Sequence, residues 1–364
     1  MKILHFADLH VKLKSDIRFK YDLLEQLRFI LNIVSSQKPD YLFFAGDLFD
    51  KKEPIPAEYS LAHIFLKQIL DLGCKIIMIP GNHDLPDNEE SHHTLKPLKN
   101  LNLNGLFILD EEGLYRIENI DVLAIPYKYH NKVECLNTIK QLHDNYNGND
   151  LYLIGHFWVN EYSSIVPASH EFVLSSAWLK SLTKVKYGAI GHIHTGGQII
   201  GNFYYSGSPY RVDWGEEEPA KFLSIYDSTS KVEFINTNSR PIQVFDFDKF
   251  DKNKLMPAGA MIKILAKDID TSEIITLDNL KKELESSGYI VHIVKKLKPI
   301  TYGLIQEPTK TQKVTLSGYI NDYVKRNDIV AEQNILVSIC EDIISGKIKM
   351  ETSPFDIPIL GLKK

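Results

Sequence analysis

Short apolar runs in the first half of the chain end in clusters of aspartate, asparagine and histidine. Lys2–Phe6, Tyr41–Ala45 and Lys75–Ile79 have the length and composition of buried strands, and helical patterns over Tyr21–Val34 and Ala57–Leu72 separate them. This alternation of strand and helix predicts a parallel sheet flanked by helices. Such sheets bind ligands beyond the carboxyl ends of their strands, which is where the polar clusters fall.

Five polar clusters follow five predicted strands, and four of them contain or follow a close glycine. They are Asp8-Leu9-His10, Gly46-Asp47-Leu48-Phe49-Asp50, Gly81-Asn82-His83-Asp84, Gly155-His156 and Gly191-His192-Ile193-His194. A single aspartate or histidine after a strand is usually a turn former or a helix cap. Five clusters that converge on one crevice instead favour a functional site.

The donor atoms in these clusters are carboxylate and amide oxygens and imidazole nitrogens, without cysteine. This mixture suits Mn²⁺, Fe²⁺, Zn²⁺ or, less well, Mg²⁺. Seven side chains qualify as ligands, which is too many for one ion: Asp8, His10, Asp47, Asn82, His156, His192 and His194. A shared carboxylate would hold two ions roughly 3.5–4 Å apart, and such a pair activates a water and neutralises a phosphoryl group. The sequence therefore predicts hydrolytic phosphoryl transfer.

Composition indicates a globular protein. The 364 residues are 44% hydrophobic and 24% charged, which suits two or three domains. Cys74, Cys135 and Cys340 lie far apart and suggest neither a disulfide framework nor a zinc knuckle. No apolar run has membrane-spanning length and the start lacks a signal-peptide layout, so we expect a cytoplasmic protein without a membrane partner. The net charge of −5 counts mildly against DNA binding.

The second half of the chain predicts a small additional domain and terminal helices. Ala260–Ala266 and Tyr289–Val294 are strand-like, and the helix Leu277–Ser287 between them ends at Gly288. Two further helices are predicted near the end of the chain, at Leu316–Val324 and Ala331–Ile344. The expected division is a core over residues 1–238, an α+β capping domain over 239–300, and a linker with C-terminal helices over 301–364.

The motifs D-x-H, G-D-x-x-D, G-N-H-D, G-H and G-H-x-H, in this order, resemble the calcineurin-like metallophosphoesterases over roughly residues 1–215. The resemblance implies an α/β core of two packed β-sheets flanked by helices, with Asp47 bridging two metals. By the same resemblance, one metal would be held by Asp8, His10, Asp47 and His194. The other would be held by Asp47, Asn82, His156 and His192.

The remaining polar residues of the third motif receive different roles from the same resemblance. His83 is implied to be a catalytic residue that stabilises charge at phosphorus and gives a proton to the leaving 3′ oxygen. Asp50, at the end of G-D-x-x-D, is the implied carboxylate partner that favours the charged form of His83. Some relatives carry histidine at the position of Asp50. Asp84 is expected to tie down the turn.

Motif details point to one branch of the family. The stretches DLHV and GNHD differ from the D-x-H-G and GNHE of Ser/Thr protein phosphatases. Tyr205-Ser206-Gly207-Ser208-Pro209 resembles the SGSP stretch of SbcD, the nuclease subunit of the bacterial SbcC–SbcD DNA-repair complex. The domain order resembles SbcD as well, and the length is similar to the small subunit of the recombination endonuclease of T-even phages. This implies an Mn²⁺-dependent exonuclease and single-strand endonuclease, with Mg²⁺ as a substitute, in repair, recombination or replication of cellular or phage DNA.

Partners follow from the same resemblance. It implies DNA on the capping domain, an SbcC-like coiled-coil ATPase on the C-terminal helices, and a homodimer through Ala57–Leu72 and the segment after it. Candidate DNA contacts are Lys128, Lys281, Lys282, Lys295 and Lys296. A solvated lysine face is the alternative for these residues, and packing within the chain is the alternative for the terminal helices.

Two other functions remain open. One is a small-molecule nucleotide or cyclic-nucleotide phosphodiesterase of the same superfamily. The other is a binding scaffold without activity, against which the complete set of seven ligands argues. His5 is expected inside the first strand. Seven histidines that fit no motif are expected at the surface: His63, His92, His93, His130, His143, His170 and His292.

Overall fold

Strands and helices alternate along the first half of the computed structural model, as the apolar pattern predicts. The structure describes residues 1–13, 17–86, 92–162, 167–217, 220–229 and 232–298. Its strands are β1 (Lys2–Phe6), β2 (Tyr41–Phe44), β3 (Lys75–Met78), β4 (Leu106–Ile108), β5 (Gly113–Ile117), β6 (Ile120–Ile125), β7 (Leu151–His156), β8 (Trp158–Val159), β9 (Val173–Leu174), β10 (Val185–Gly191), β11 (Gly197–Ile200), β12 (Phe203–Tyr205), β13 (Phe222–Asp227), β14 (Glu233–Asn236), β15 (Ile242–Asp246), β16 (Met261–Ile269) and β17 (Ile290–Leu297). Its helices are α1 (Ile17–Gln37), α2 (Pro56–Asp71), α3 (Lys96–Asn100), α4 (Lys132–Asn145), α5 (Ser176–Lys180) and α6 (Thr271–Ser286).

Two six-stranded sheets form the core of the protein. The first has the order β14-β13-β1-β2-β3-β4, and the second has the order β11-β12-β10-β7-β6-β5. Neighbours from β1 to β4 run parallel, as do β6, β7, β10 and β12, while antiparallel strands occupy every edge of the two sheets except that at β4. The central strands are apolar along their whole length because both faces of each sheet are covered.

Alternating side chains of each central strand serve two different cores. In β1 and β2, Ile3 and Phe43 face the second sheet, where they pack with residues such as Ile154. The intervening Leu4 and Phe44 point the other way, into a cluster with the apolar faces of α1 and α2. A strand period of two therefore places one layer between the sheets and another beneath the helices.

His5 is buried between the two sheets, as predicted for a residue of the first strand. Its Nδ1 lies 2.9 Å from the hydroxyl oxygen of Tyr187. Burial lowers the pKa of His5 to about 3, against a small opposing effect of a backbone hydrogen bond with Ile190. The imidazole is therefore neutral in the folded protein near pH 7.

A third sheet with the parallel order β15-β16-β17 follows the core, and we call it with α6 the capping sheet. Leu277 and Leu284 of α6 pack on Ile264 and Val291 of the strands. The helix begins where the Glu273 carboxylate accepts a hydrogen bond from the Asp270 amide at 2.7 Å. Residues Met1–Lys298 make up one compact unit.

The predicted fold of two packed sheets with outer helices and a small α+β unit is confirmed. Helices α3, α4 and α5 and strands β4, β5, β8, β9, β11, β14 and β15 were not predicted, because their apolar runs are short or half-exposed. The prediction that His143 lies at the surface is wrong. The side chain is buried, and its Nε2 lies 3.1 Å from the Lys184 amide nitrogen. The predicted helices Leu316–Val324 and Ala331–Ile344 lie outside the described residues. Within the described part of the chain, no helix is long and apolar enough to cross a membrane.

The burial of His5 predicts a pH-dependent loss of stability. As the pH falls from 6.5 to about 3, the unfolded chain takes up a proton at His5 that the folded chain does not bind. The free energy of unfolding therefore decreases as the pH is lowered through this window, and His5 contributes at most about 1.4 kcal/mol of this decrease per pH unit. We expect His5→Asn, measured by urea unfolding in EDTA, to show a shallower pH dependence than the wild type. Parallel curves for the two proteins would contradict this account.

Candidate metal centre

The loops after β1 and β2 run side by side and bring three predicted ligands together. The Asp8 amide donates to the Gly46 carbonyl at 3.0 Å, and the His10 amide donates to the Asp47 carbonyl at 3.1 Å. A further bond from the Val11 amide to the Leu48 carbonyl, at 2.8 Å, closes this ladder. Because main-chain bonds fix both loops, the side chains of Asp8, His10 and Asp47 are held in place before any ligand binds.

The main chain at four of the candidate ligands is in the left-handed region. The φ angles are 56° at Asp8, 45° at His10, 56° at Asp47 and 98° at His192. L-residues with a side chain rarely adopt this conformation, and each instance costs free energy. These four residues lie together at one edge of the sheets. The main chain is therefore strained where it positions the candidate ligands.

A first group of donors surrounds the loop after β1. The Nε2 atoms of His10 and His194 lie 3.1 Å apart. His194 Nε2 is 3.9 Å from Asp8 Oδ1, and His10 Nε2 is 3.7 Å from Asp47 Oδ2. Asp8, His10 and His194 each offer one ligand atom, and these atoms lie within 4.8 Å of one another, which is close enough for all three to bind one ion.

A second group of donors shares Asp47 with the first. His156 Nε2 is 3.5 Å from Asp47 Oδ2 and 3.0 Å from Asn82 Oδ1. The same Asn82 oxygen is 3.0 Å from Nδ1 of His192. His156 Nδ1 donates to the Ala45 carbonyl at 2.7 Å, so Nε2 is the ring nitrogen that faces Asp47 and Asn82. All seven predicted ligands therefore meet at one place, with Asp47 between the two groups.

The chemistry of this donor set fits a pair of divalent cations. Carboxylate oxygens, an amide oxygen and imidazole nitrogens converge here. Electron-pair donors that face one another at 3.0–3.1 Å are satisfied either by shared protons or by a metal ion between them. The four aspartate and histidine residues at the centre are almost fully buried: Asp8, His10, Asp47 and His156.

Burial and mutual charge shift the pKa values of these groups. Burial raises the pKa of Asp8. Burial also acts to raise the pKa of Asp47, but the neighbouring His156 and His10 outweigh it and hold that carboxyl well below its usual range. Burial alone would lower the pKa of His156, whereas the Asp47 carboxylate raises it to about 9. A cation that binds His156 must therefore displace a proton, which makes metal binding weaker at lower pH.

The three polar residues of the GNHD motif have separate roles in the structure. Asn82 joins the second donor group, and His83 directs its main-chain amide to Asp47 Oδ1 at 2.9 Å. Asp84 is buried and accepts hydrogen bonds from the amides of Gly81 and Leu48, at 3.0 and 3.2 Å. Phe49 and Thr94 donate to its other oxygen. The prediction that Asp84 ties down the turn is confirmed.

The predicted contact between the Asp50 carboxylate and His83 is corrected by the structure. His83 Nδ1 lies 2.8 Å from the main-chain carbonyl oxygen of Asp50. The Asp50 carboxylate instead accepts a hydrogen bond from Lys12 Nζ at 2.9 Å, and it lies 3.9 Å from His10 Nδ1. Lys12 attracts the carboxylate because it follows the DLH motif on the adjoining loop. Asp50 thus orients His83 through its main chain.

Two carboxylates that were not predicted support the histidines of the last motif. Glu216 Oε1 is 2.7 Å from His194 Nδ1, and Glu171 Oε2 is 3.2 Å from His192 Nε2. The Tyr127 hydroxyl donates to Glu171 at 2.9 Å. Hydrogen bonding to His192 lowers the pKa of Glu171 to about 2; for Glu216, burial opposes but His194 and Lys221 prevail, and the pKa again falls to about 2. Both carboxylates are charged and can orient their histidines for a metal.

Three of the predicted DNA-contact lysines have acidic neighbours. Lys128 pairs with Glu112 at 2.5 Å, Lys295 with Asp278 at 2.6 Å and Lys281 with Glu285 at 3.9 Å. Among the described residues, Lys282 and Lys296 form no ion pair. The local positive bias of the capping sheet is therefore weaker than its lysine count indicates.

A groove of about 790 Å³ adjoins the metal centre on the side of the second sheet. The rings of Tyr127 and His192 lie 5.7 Å apart, and the Tyr129 hydroxyl donates to the Asn82 carbonyl at 3.3 Å. Lys52 Nζ lies 5.3 Å from the centre of the Tyr129 ring. The wall of the groove thus begins at residues that touch the metal ligands.

Residues 1–228 match the family model described as calcineurin-like phosphoesterase. The chain belongs to this family, whose members use divalent metal ions. The structure is consistent with this membership, since it brings residues of all five motifs into overlapping groups of potential metal ligands.

Curated relatives of the chain carry the names of a DNA-repair protein and of a nuclease subunit. A protein of Saccharolobus solfataricus named DNA double-strand break repair protein Mre11 is 31% identical over 35% of this chain and 33% of its own length. The protein of the same name from Methanocaldococcus jannaschii is 26% identical over 61% of this chain and 60% of its own length. A protein of Staphylococcus epidermidis, named as one of the subunits of nuclease SbcCD, is 26% identical over 62% and 66%. The chain thus spans between a third and two thirds of these relatives.

The packing around Gly81 yields a test of the metal centre. A Cβ atom at Gly81 would lie 2.1 Å from Asp47 Oδ1 and 2.6 Å from the Asp47 amide nitrogen. Gly81→Ala therefore displaces the shared carboxylate, and we expect Mn²⁺ affinity to fall at both sites by about tenfold or more in calorimetric titration. Gly113→Ala is the control, because its nearest neighbour is a Tyr115 ring carbon at 3.3 Å. Wild-type affinity in Gly81→Ala would refute the placement of Asp47.

Proposed function

We propose that this protein is an Mn²⁺-dependent DNA nuclease of the SbcD kind, which hydrolyses phosphodiesters as an exonuclease and as a single-strand endonuclease. The observation that carries the proposal is the convergence of seven donor side chains at one place, with Asp47 between the two groups. His83 lies beside His10 and Asp47, and we assign it a role outside the ligand set. The family membership supports hydrolysis of a phosphoester. The names of two relatives support DNA as the substrate and repair as the process, and the name of a third supports a nuclease.

In this mechanism the ligand residues hold two divalent ions. One group consists of Asp8, His10, Asp47 and His194, and the other of Asp47, Asn82, His156 and His192. Bound ions would supply an activated water and neutralise charge on the phosphoryl oxygens. Mn²⁺ is the proposed native ion and Mg²⁺ a substitute.

His83 acts on the leaving group in this proposal. Its Nδ1 donates to the Asp50 carbonyl at 2.8 Å, which fixes the ring and leaves Nε2 as the nitrogen that exchanges a proton. His83 stabilises charge on the phosphoryl group and protonates the leaving 3′ oxygen through Nε2. Asp50 is a positioning residue that acts on His83 through its main chain. Lys12, held by the Asp50 carboxylate at 2.9 Å, adds a positive charge beside the centre.

The groove beside the centre favours a polymer over a small nucleotide. Lys52 and Tyr129 line it and place a cation and an aromatic ring next to the metal ligands, in a wall of mixed charge that also contains the acidic residues Asp110, Glu112 and Glu134. Single-stranded nucleic acids bind through phosphate contacts and base stacking on such surfaces. Lys128 at the groove and the cap lysines Lys281, Lys282, Lys295 and Lys296 are the proposed sites of further phosphate contacts.

The proposed partners are an SbcC-like coiled-coil ATPase and a second copy of this chain. The relative whose name places it in nuclease SbcCD supports a nuclease of several subunits. The ATPase would dock on the C-terminal helices, whose residues lie outside the described part of the chain. Dimerisation would involve α2, where Ile64 is 55% exposed and Leu72, at its end, is 46% exposed. The proposed division of labour is a nuclease core over residues 1–238, a capping domain over 239–300 and docking helices within 301–364.

Replacement of His83 tests its role as the proton donor. We expect His83→Asn to lower DNA cleavage by about 10²–10⁴-fold, the usual contribution of a general acid. Metal binding should remain close to wild type, because the His83 side chain is not among the proposed ligands. Mn²⁺ titration and a cleavage assay on the same preparation separate the two effects. Loss of both ions in His83→Asn would show that His83 is a metal ligand and would contradict its assignment as the proton donor.

A comparison of substrates tests the choice of DNA. With Mn²⁺ present, we expect labelled single-stranded DNA to be cleaved with a higher kcat/KM than cyclic nucleotides or nucleoside diphosphates. Bis-p-nitrophenyl phosphate serves as the control for an intact metal centre, since either class of phosphodiesterase cleaves it. Efficient hydrolysis of a cyclic nucleotide without DNA cleavage would favour the small-molecule alternative. Hydrolysis of none of these substrates by the two-metal protein would favour the scaffold alternative.

A further inference from the structure

Residues Arg211–Glu217 lie between the metal centre and the capping sheet, and we call this segment the strap. It follows the SGSP stretch and precedes β13. The Arg211 side chain closes the strap on itself, because its Nε donates to the Glu216 carbonyl at 2.9 Å. Its Nη1 donates to the carbonyls of Ser239 and Arg240 at 3.2 Å, on the connection that leads into β15. The strap is thus fastened to the entrance of the capping sheet.

At its metal end, the strap supplies the carboxylate that orients His194. Glu216 Oε1 accepts from His194 Nδ1 at 2.7 Å, and Glu216 Oε2 pairs with Lys221. Lys221 Nζ also donates to the His194 carbonyl at 3.0 Å and to Ser208 Oγ at 2.8 Å. Lys221 is 3% exposed and Ser208 is fully buried. The buried Lys221 therefore contacts both the Glu216 carboxylate, which orients the His194 ring, and the main-chain carbonyl of His194.

On both sides of Glu216, the strap is held by side chains of the capping sheet. The Trp214 ring stacks on His292 of β17, with 5.0 Å between ring centres and 23° between ring planes. Lys263 of β16 donates to the Trp214 carbonyl at 2.8 Å and pairs with Glu217 at 3.0 Å. Phe19 of α1 packs edge-on against Trp214 at 5.9 Å. Trp214 and Glu217 thus flank Glu216 and are bound to the cap.

Gly215 alone separates the cap contact at Trp214 from the histidine contact at Glu216. A displacement of the capping sheet would pull on Lys263 and His292, and through them on the main chain that carries Glu216. A shift of Glu216 either moves His194 or breaks a charge-assisted hydrogen bond of 2.7 Å. The buried partners Lys221 and Ser208 leave little room for Glu216 to adjust without cost.

Glu171 offers an internal comparison on the other side of the centre. It supports His192 in the same manner, at 3.2 Å. Its further contact runs to the Tyr127 hydroxyl, on the loop after β6 of the second large sheet. The carboxylate that supports His192 is therefore built on the core, whereas the carboxylate that supports His194 is built on the strap.

We propose that Glu216 is a positioning residue for His194. We further propose that the strap couples the position of the capping sheet to the affinity for the metal ion that His194 would hold. This inference rests on the two-metal centre of the proposed function, but not on the choice of DNA as substrate. Coupling between two sites is reciprocal. Occupation of the His194 site therefore steadies the capping sheet, and displacement of the sheet weakens metal binding at that site alone.

The test measures Mn²⁺ binding by calorimetric titration of the full chain without DNA. We expect Glu216→Gln to weaken one of two sites by about 10–100-fold, as loss of a histidine's supporting carboxylate does. Lys263→Met, which leaves every ligand and Glu216 unchanged, should weaken the same site by about fivefold or more. Lys252→Met is the matched control, because Lys252 pairs with Glu283 on the capping sheet rather than with the strap. It should bind both ions as the wild type does.

A second set of variants assigns the weakened site. Glu171→Gln should weaken the other ion, so that the double variant Glu171→Gln/Glu216→Gln loses affinity at both sites by independent amounts. If both single variants weaken the same site, the assignment of Glu216 to one metal is wrong. Glu216→Asp, which keeps the charge but shortens the reach to His194, gives the same test if Glu216→Gln does not fold.

Hydrogen exchange of residues 214–217 supplies a readout besides metal affinity. Addition of Mn²⁺ should slow exchange of the strap amides in the wild type and in Lys252→Met, but not in Glu216→Gln. Wild-type affinity in Glu216→Gln would overturn the positioning role. Weakened binding in Glu216→Gln with unchanged binding in Lys263→Met would overturn the coupling. A protein that binds two ions with this coupling but cleaves no DNA would lose the proposed function and keep the inference.

Discussion

The carboxylate of Asp47 is the interaction on which the rest of the site depends. One oxygen faces His10 and His156 at 3.7 and 3.5 Å, and the other accepts the His83 amide at 2.9 Å. Asp47 is 2% exposed, and its main chain has a φ of 56°. A buried carboxylate in a strained conformation survives only if surrounding bonds fix it and cations or protons balance it. The loops after β1, β2 and β3 all provide such bonds.

The architecture explains how so much charge is concentrated at one point. Parallel strands of both sheets end at the same edge, so that short loops from each strand deliver one or two polar side chains to a common space. The apolar layer between the sheets excludes water from beneath this space. Supporting groups then complete the cluster: Asp84 holds the loop after β3, and Glu171 and Glu216 hold the two histidines of the last motif. Each support comes from a different segment of the chain.

Residue type and order predicted the seven donor residues and the supporting role of Asp84, but not the supports Glu171 and Glu216. Asp8, His10, Asp47, Asn82, His156, His192 and His194 were found because each follows a recognisable strand, and strand ends have a fixed place in this architecture. Glu216 lies in a run of three glutamates, and nothing in the sequence distinguishes it from Glu217, which pairs with the capping sheet instead. Glu171 lies on a long connection whose path depends on tertiary contacts. Such residues become visible only when the main chain is in place.

Asp50 and His143 show a second limit of sequence reasoning. The sequence places Asp50 near His83, but it does not decide whether the main chain or the side chain makes the contact. The Asp50 carboxylate accepts a hydrogen bond from Lys12, and the main-chain carbonyl of Asp50 contacts His83 instead. His143 was expected at the surface because α4 was not predicted, and its burial follows from the packing of that helix on the second sheet. The alternation of strands and helices in the core and the βαβ pattern of the cap were predicted because their apolar periodicity is strong, whereas the packing of two large sheets was expected only from the family resemblance.

Anomalous diffraction from crystals grown with Mn²⁺ tests the central claim most directly, because it locates the ions without reference to activity. The account predicts two peaks on either side of Asp47, roughly 3.5–4 Å apart. One peak would lie among Asp8, His10 and His194, and the other among Asn82, His156 and His192. A single peak, or two peaks that do not share Asp47, would contradict the account.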